Sequence, residues 1–271
     1  MSTHFMDDRP ALVDIGVNFH SAQLVSQTAA LLARAKAAGV AQIMATGTSL
    51  TSSRLAVELA KANPQVVFAT AGIHPHDAKS HDPSAQRALI ELWKSPQVVA
   101  VGECGLDYNR NFSTPQAQRH AFDQQLSAAA EIGKPLFLHC RDAFADFHDM
   151  LAPVVADGVR GVVHCFTGDH AEAQAFLEMG LDIGITGWVT DLQRGQALRA
   201  AVKAIPLDRL HLETDAPYLA PKNAGARRGP NEPAHLRWIA VALAALLDRD
   251  VDEIIRACSA NSRRMFALPG P

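Results

Sequence analysis

The feature that most restricts what this chain can become is a repeated alternation. Eight short apolar, β-branched runs recur along it, separated by alanine- and leucine-rich amphipathic stretches. The runs are ALVDIGVN (11–18), VAQIMAT (40–46), VVFATAGI (66–73), VVAVGE (98–103), PLFLHC (135–140), GVVHCF (161–166), LDIGIT (181–186) and RLHLETD (209–215). Strands that alternate with helices pair in parallel, because each helix carries the chain back before the next strand begins. Two helix boundaries are explicit. SQTAALLARAKAAG (26–39) ends in a glycine placed as a C-cap. Ser113-Thr114-Pro115 opens another helix, with proline at the first helical position.

A parallel α/β pattern leaves two architectures, an open doubly wound sheet and a closed barrel. No glycine-rich phosphate loop follows any run, and the polar residues are spread over the ends of many of them, as barrel enzymes require. The expectation is one (β/α)8 TIM barrel of the metal-dependent hydrolase type spanning 1–271, with 1–10 as a flexible N-terminal extension. A hydrophobic content of 48% supplies its core, and 20% charged residues exclude a disordered or polyionic chain. The formal charge of −3 argues against a broad basic surface, though not against nucleic acid gripped locally by a few arginines and a metal.

The four cysteines form no C-x-x-C pair and are read as reduced thiols. Cys104, Cys140 and Cys165 each follow a candidate site residue, so strand alternation turns them toward the helices. The N-terminal MSTHFMDDRP lacks an apolar signal core, and no run approaches the length of a membrane span. A soluble cytoplasmic protein, with no membrane association and no obligate protein partner, is expected.

The ionisable residues fall at strand ends. They are His74 and His76 after the third run, Glu103 at the end of the fourth, His139 with Arg141 and Asp142 at the fifth, His164 at the sixth, and Glu213 and Asp215 at the eighth. One such histidine alone is a satisfied core residue. Several strand ends placing His, Glu or Asp at one level are hard to explain by packing, because unpaired buried ionisable groups are costly. A shared cation removes that cost. Glu103, His139, His164 and Asp215 form a mixed imidazole and carboxylate set that suits Zn²⁺, Mn²⁺, Fe²⁺ or Ni²⁺ on softness, whereas Mg²⁺ prefers more oxygen.

The strings DIGVN (14–18), AGIHPHD (71–77), GECGLDYNRNFSTP (102–115), HCRDA (139–143), HCFTG (164–168), GITGWV (184–189), ETDAPYL (213–219) and NEPAHL (231–236) resemble the TatD family of metal-dependent deoxyribonucleases. The resemblance covers nearly everything after the first ten residues. It implies a 3′→5′ exonuclease on single-stranded DNA, with RNA as a further substrate, in DNA repair or nucleic-acid degradation. Glu103 is then the bridging ligand, and His139 and His164 hold one metal. Asp215 binds a second metal, orients the attacking water or takes its proton. His74 matches the family's third-strand histidine and contacts a phosphate or the leaving oxygen, while His76 is assigned a structural role. The family's first-strand Asp-x-His-x-His is absent, since its positions hold Asp14, Gly16 and Asn18. A second cation would have only carboxylates, the Asn18 amide and water, which favours Mg²⁺, with Mn²⁺ or Zn²⁺ as the other candidates and one or two ions in all.

Alternation along the eighth run turns His211, Glu213 and Asp215 to one side, with Asp215 at the mouth and Glu213 one layer deeper, for support or catalysis. His211 lies deeper still and is read as core. The mechanism expected is phosphodiester hydrolysis by metal-activated water, with Asp215 or Glu213 accepting the proton and Glu103 in the catalytic set. Arg110, Arg141, Arg227 and Arg228 are the candidate phosphate contacts, with surface salt bridges as their competing role. Tyr108, Phe112, Phe166, Trp188 and Tyr218 either stack on bases or pack the loops. The segment 221–233 reads as a long binding loop. Two alternatives compete, a deacylase acting on an aminoacyl-tRNA or a small ester or amide, and a degenerate barrel that only binds nucleic acid or protein.

Overall fold

Each apolar run becomes a strand, and the stretch after it returns as a helix. The computed structural model describes residues 9–225 and 229–270. The strands are β1 (Leu12–Val17), β2 (Val40–Ala45), β3 (Val67–Ala71), β4 (Val98–Asp107), β5 (Leu136–Arg141), β6 (Gly161–Val163), β7 (Asp182–Ile185) and β8 (Leu210–Leu212). Every neighbouring pair is parallel, and the order around the sheet is the order along the chain. The helices between them are α1 (Thr28–Ala37), α2 (Leu50–Ala62), α3 (Pro83–Trp93), α4 (Pro115–Ile132), α5 (Phe144–Ala156), α6 (His170–Glu178) and α7 (Gln196–Val202). Two more, α8 (Leu236–Leu247) and α9 (Val251–Phe266), follow the last strand. The architecture is the nearly closed (β/α)8 barrel that the alternation predicts.

Local chemistry sets the boundaries. α4 starts where Thr114 accepts the N–H of Ala117 through its hydroxyl at 3.2 Å, with Pro115 behind it, and stops at Gly133 with φ +71. α1 ends at Ala37, and Gly39 at φ +85 turns the chain into β2. Leu31, Ala35, Ala56, Val57, Leu89, Phe122 and Phe147 bury the helix faces against the outside of the sheet. Inside lies a smaller cluster of Val13, Ile15, Met44, Ala100, Phe137 and Val162. Met265, Phe266 and Leu268, at the end of α9 and just past it, complete that cluster and plug the barrel. Gln42 ties the plug down, donating to the Pro269 carbonyl at 3.0 Å and accepting from Arg263 Nε at 3.0 Å.

β8 is shorter than the run RLHLETD, because the chain leaves the sheet after Leu212 to close the barrel against β1. Asp215 N–H donates to the Gly16 carbonyl at 2.9 Å and Asn18 N–H to the Ala216 carbonyl at 2.8 Å. Asp14 fastens the same seam. Its carboxylate accepts the N–H and the hydroxyl of Thr214 at 2.9 and 2.7 Å, and the N–H of Gly16 at 3.3 Å. β4, in contrast, is longer than its run. It continues beyond Glu103 because Gly105, Leu106 and Asp107 pair with His139, Cys140 and Arg141. Glu103 therefore sits inside a strand, not at its end.

Burial pushes the Asp14 carboxyl up to about 7 from an ordinary 3.8, against the three hydrogen bonds it accepts. A folded-state pKa above the unfolded one means the folded state holds the extra proton between those values. This group's contribution to stability therefore falls as pH rises from about 4 to about 7 and is constant above that. Asp14→Asn is expected to make the pH dependence of the urea midpoint of metal-free protein shallower across that window. Asp14→Ala, which strands the Thr214 N–H, is expected to cost about 1–3 kcal/mol.

Candidate metal centre

Three imidazoles converge on one carboxylate oxygen. Glu103 Oε1 lies 3.2 Å from His74 Nε2, 3.1 Å from His139 Nδ1 and 3.0 Å from His164 Nε2. Glu103 projects from β4 and His139 from β5, His164 is the first residue past β6, and His74 follows β3 by three residues. All lie toward the C-terminal end of the barrel. Glu103 is 4% exposed. Burial works to raise its carboxyl, but the His164 and His74 rings, with hydrogen bonds from His139 and His164, hold it well below the carboxylate range. His74, Glu103 and His139 offer ligand atoms all within 4.8 Å of one another, a spacing that can hold a metal ion.

The partners of each ring decide which nitrogen carries a proton. His164 Nδ1 faces Glu213 Oε2 at 2.9 Å. A carboxylate only accepts, so Nδ1 donates, and in the neutral ring Nε2 keeps its lone pair toward the cluster. Without a cation, burial favours the neutral ring, yet Glu103 and Glu213 outweigh it and raise the His164 pKa well above 6.5. His74 is the reverse case. Burial drops it to about 4, so it is neutral, and its Nδ1 accepts the His76 N–H at 3.0 Å. Its proton is therefore on Nε2, which makes His74 a donor into the site and not a ligand through that atom. His139 turns Nε2 toward Asp107 Oδ2 at 3.4 Å without a directed hydrogen bond, leaving that buried atom unsatisfied.

Glu213 stands one layer below, fully buried. Besides His164, it accepts the Cys165 N–H through Oε1 at 2.5 Å. Two glycines make the slot it occupies. A β-carbon at Gly16 would come 2.7 Å from its Oε2, and one at Gly184 would come 2.5 Å from its Oε1. Asp215 accepts from Asn18 Nδ2 at 2.9 Å, and burial raises its carboxyl to about 7. Asn18 is thus committed to Asp215.

Other residues fall apart from this cluster. Arg110 and Arg141 are exposed and flank Asp107, which accepts the Arg110 N–H at 2.8 Å and pairs across the strands with Arg141. Arg227 and Arg228 lie outside the described residues. Of the loop aromatics, Tyr108 is tied to Asp146 at 2.7 Å, Phe166 is buried and Trp188 carries the Arg194 guanidinium 4.5 Å above its ring. Phe112 and Tyr218 are exposed. His211 is buried between Ser262 Oγ at 2.9 Å and Asp182 Oδ2 at 3.0 Å, a satisfied core group. All four cysteines are free; Cys104 faces the helix layer as expected, whereas Cys140 and Cys165 are only partly buried.

Sequence reasoning passed over Asp107. It shares strand parity with Glu103, and it accepts from His76 at 2.8 Å, which draws His76 to the edge of the site. The signal was present in the alternation Glu103, Gly105, Asp107, hidden by ending the strand too early.

A barrel with histidines and carboxylates gathered at its C-terminal mouth defines a hydrolase of the barrel type. The TatD related DNase family model matches residues 13–267. A protein of Edwardsiella piscicida named 3′-5′ ssDNA/RNA exonuclease TatD is 47% identical over 261 residues, covering 95% of this chain and all of that protein. Among solved structures, the Escherichia coli TatD homologue YjjV superposes with a TM-score of 0.88 at 29% identity, covering 95% of this chain and 98% of that one. A TatD-family hydrolase of Entamoeba histolytica gives 0.86 at 26%, covering 96% and 99%. The chain belongs to the TatD DNase family. It is an enzyme, a hydrolase acting on phosphodiester bonds.

Glu213→Gln removes the charge beside the His164 ring and leaves one acceptor oxygen for two donors, His164 Nδ1–H and the Cys165 N–H, so the ring is held less firmly with Nε2 toward Glu103. Divalent-metal affinity, read by titration calorimetry, is expected to fall about 10–100-fold. In the unsubstituted protein the same titration should weaken as pH falls, because the proton that His164 holds must leave before Nε2 can bind a metal.

Proposed function

We propose that this chain is a divalent-metal-dependent 3′→5′ exonuclease acting on single-stranded DNA and on RNA. The observation that carries the reading is the convergence of His74, His139 and His164 on Glu103 Oε1. The donor set fits a cation. Buried imidazoles around one carboxylate, with the His139 Nε2 left without a hydrogen bond, are groups that gain from a shared positive ion. Glu103, His139 and His164 would hold it, with Asp215 at its edge. When bound, a divalent cation supplies Lewis acidity, polarising phosphoryl oxygens and making water acidic enough to lose a proton near neutral pH.

The chain's own residues do the rest. Asp215, with a carboxyl at about 7, is suited to take a proton from water. The fixed Nε2–H of His74 donates to a phosphoryl or leaving oxygen. Glu213 holds the His164 ring, and Asn18 aims Asp215. Arg110 and Arg141 meet the phosphates of the strand, joined by Arg227 and Arg228. With no histidine at 16 or 18, any second ion sees oxygen ligands only, which selects Mg²⁺ ahead of Mn²⁺ or Zn²⁺. No helix among the described residues is long and apolar enough to cross a membrane. The reading places the enzyme in the cytoplasm, in repair or degradation of nucleic acid.

Digestion of 3′- and 5′-labelled single-stranded DNA with Mg²⁺, Mn²⁺ or Zn²⁺ tests this. Label at the 3′ end is expected to be released first, with EDTA abolishing release. Glu103→Ala is expected to lower the rate about a thousandfold, the several kcal/mol that metal-ion catalysis supplies. Equal rates for the two proteins would remove Glu103 from the site, and earlier release of 5′ label would reverse the polarity.

A further inference from the structure

Asp215 is carried on a turn that an aspartate does not adopt unaided. Its φ is +51, and that of Leu219, four residues on, is +52. A residue with a β-carbon persists in the left-handed region only where its surroundings over-determine it. On the barrel side the turn is fastened by Asp14, which accepts the N–H and the hydroxyl of Thr214, and by the Gly16 carbonyl, which accepts the Asp215 N–H. Within the turn, the Tyr218 N–H donates to the Asp215 carbonyl at 2.9 Å. Three further carbonyls of the turn, those of Thr214, Pro217 and Tyr218, all go to one residue, Asn231.

Asn231 is 1% exposed and comes from the loop that leads into α8. Its N–H donates to the Pro217 carbonyl at 3.0 Å. Its Nδ2 donates to the Thr214 carbonyl at 2.9 Å and to the Tyr218 carbonyl at 2.7 Å. These two carbonyls stand on either side of Asp215 along the chain. Its Oδ1 accepts the Glu232 N–H at 3.0 Å and faces His235 Nδ1 at 2.8 Å. An amide oxygen only accepts, so His235 carries a proton on Nδ1. Every hydrogen-bonding capacity of the amide is thus filled, and its orientation is fixed, because two carbonyls can be met only by the NH2 end. The loop behind it is anchored in turn, since Glu232 pairs with Arg34 of α1 at 2.6 Å.

We propose that Asn231 is a positioning residue for the hydrolytic step. Through the Thr214 and Tyr218 carbonyls it holds the turn that keeps the Asp215 carboxylate aimed at the attacking water. The inference rests on the reading of Asp215 as the proton acceptor. Asn18 fixes the carboxylate itself at 2.9 Å, and Asn231 fixes the main chain that carries it. The hydrogen bonds of Asn231 go to the turn and to its own loop, so its loss acts on Asp215 and leaves Glu103, His139 and His164 in place. Aspartate at this position would keep the shape of the side chain but turn two donors into acceptors opposite two carbonyls.

The test measures hydrolysis of labelled single-stranded DNA in Mg²⁺ by wild type, Asn231→Ala, Asn231→Asp, Asp215→Ala and the double variant of Asn231→Ala with Asp215→Ala. Near-UV circular dichroism fixes an assay temperature at which each is folded. Each Asn231 variant is expected to lower kcat about a hundredfold, the effect of misplacing a reacting group by about 1 Å, with KM unchanged. The double variant is expected to have the kcat of Asp215→Ala, because an acceptor that is gone cannot be misaimed. A residue that served only stability would lower the thermal midpoint and leave the kcat of folded protein unchanged. His235→Ala keeps Asn231 and withdraws one donor from its oxygen. It is expected to lower kcat about fivefold, the worth of one ordinary hydrogen bond, with the same cancellation beside Asp215→Ala, and it decides the matter if both Asn231 variants fail to fold. Full kcat in folded Asn231 variants, a loss confined to KM, or losses that multiply in the double variant would overturn the inference and leave Asp215 its role. Full kcat in Asp215→Ala would remove the proton acceptor and overturn the inference with it.

Discussion

The site depends on a carboxylate that burial ought to neutralise. Glu103 is almost wholly enclosed, and an isolated ionised carboxyl at such a depth would take up a proton. Three imidazole nitrogens within 3.2 Å of one oxygen reverse that preference. The same charge then organises its surroundings. It helps to raise the His164 pKa against the pull of burial, and it adds to the burial that lifts Asp215 toward neutrality. A cation held at this cluster would compete with the proton on His164 and neutralise the same carboxylates, so metal affinity and pH response would share one electrostatic origin.

That geometry survives only because the barrel holds its strands at fixed heights. The β4–β5 register pairs His139 with Gly105, two residues beyond Glu103, and Phe137, which pairs with Gly102, fills the interior beneath them. The weak point of such a barrel is the seam where the last strand meets the first. Here β8 has three residues, and closure is carried by the Asp14 carboxylate on Thr214 and by the Asp215 and Asn18 amides. Asp215 is thus held at the mouth by the hydrogen bonds that close the barrel. Fold closure and site assembly are not separable there.

How much of this was legible in the sequence follows from range. The alternation of runs, the Thr114-Pro115 helix start and the glycine after α1 are local signals, and each appears where it was read. The candidate residues Glu103, His139, His164, Glu213 and Asp215 are also read locally, and the barrel brings them together at its C-terminal side. What escaped was set by pairing between strands distant in sequence. β4 runs on to Asp107 because β5 offers partners there, and nothing near Gly105 announces this. The partner of His76 is hidden for the same reason, since Asp107 lies thirty-one residues away. Tautomers were likewise unreadable, because they depend on the backbone N–H of His76 and on Glu213. Phe166 and Tyr108 carried base-stacking potential in sequence, but their local partners claim them.

Gly16 bears on why this chain departs from the first-strand histidine pair of the family it resembles. Read alone, a glycine there is a missing ligand. In the structure it is also the space into which Glu213 fits, with Gly184 opposite. A β-carbon at 16 would sit 2.7 Å from Glu213 Oε2, the atom that fixes the His164 ring. A histidine at that position would therefore crowd the carboxylate that fixes the His164 ring. The glycine on β1 and the role of Glu213 are thus coupled through one slot.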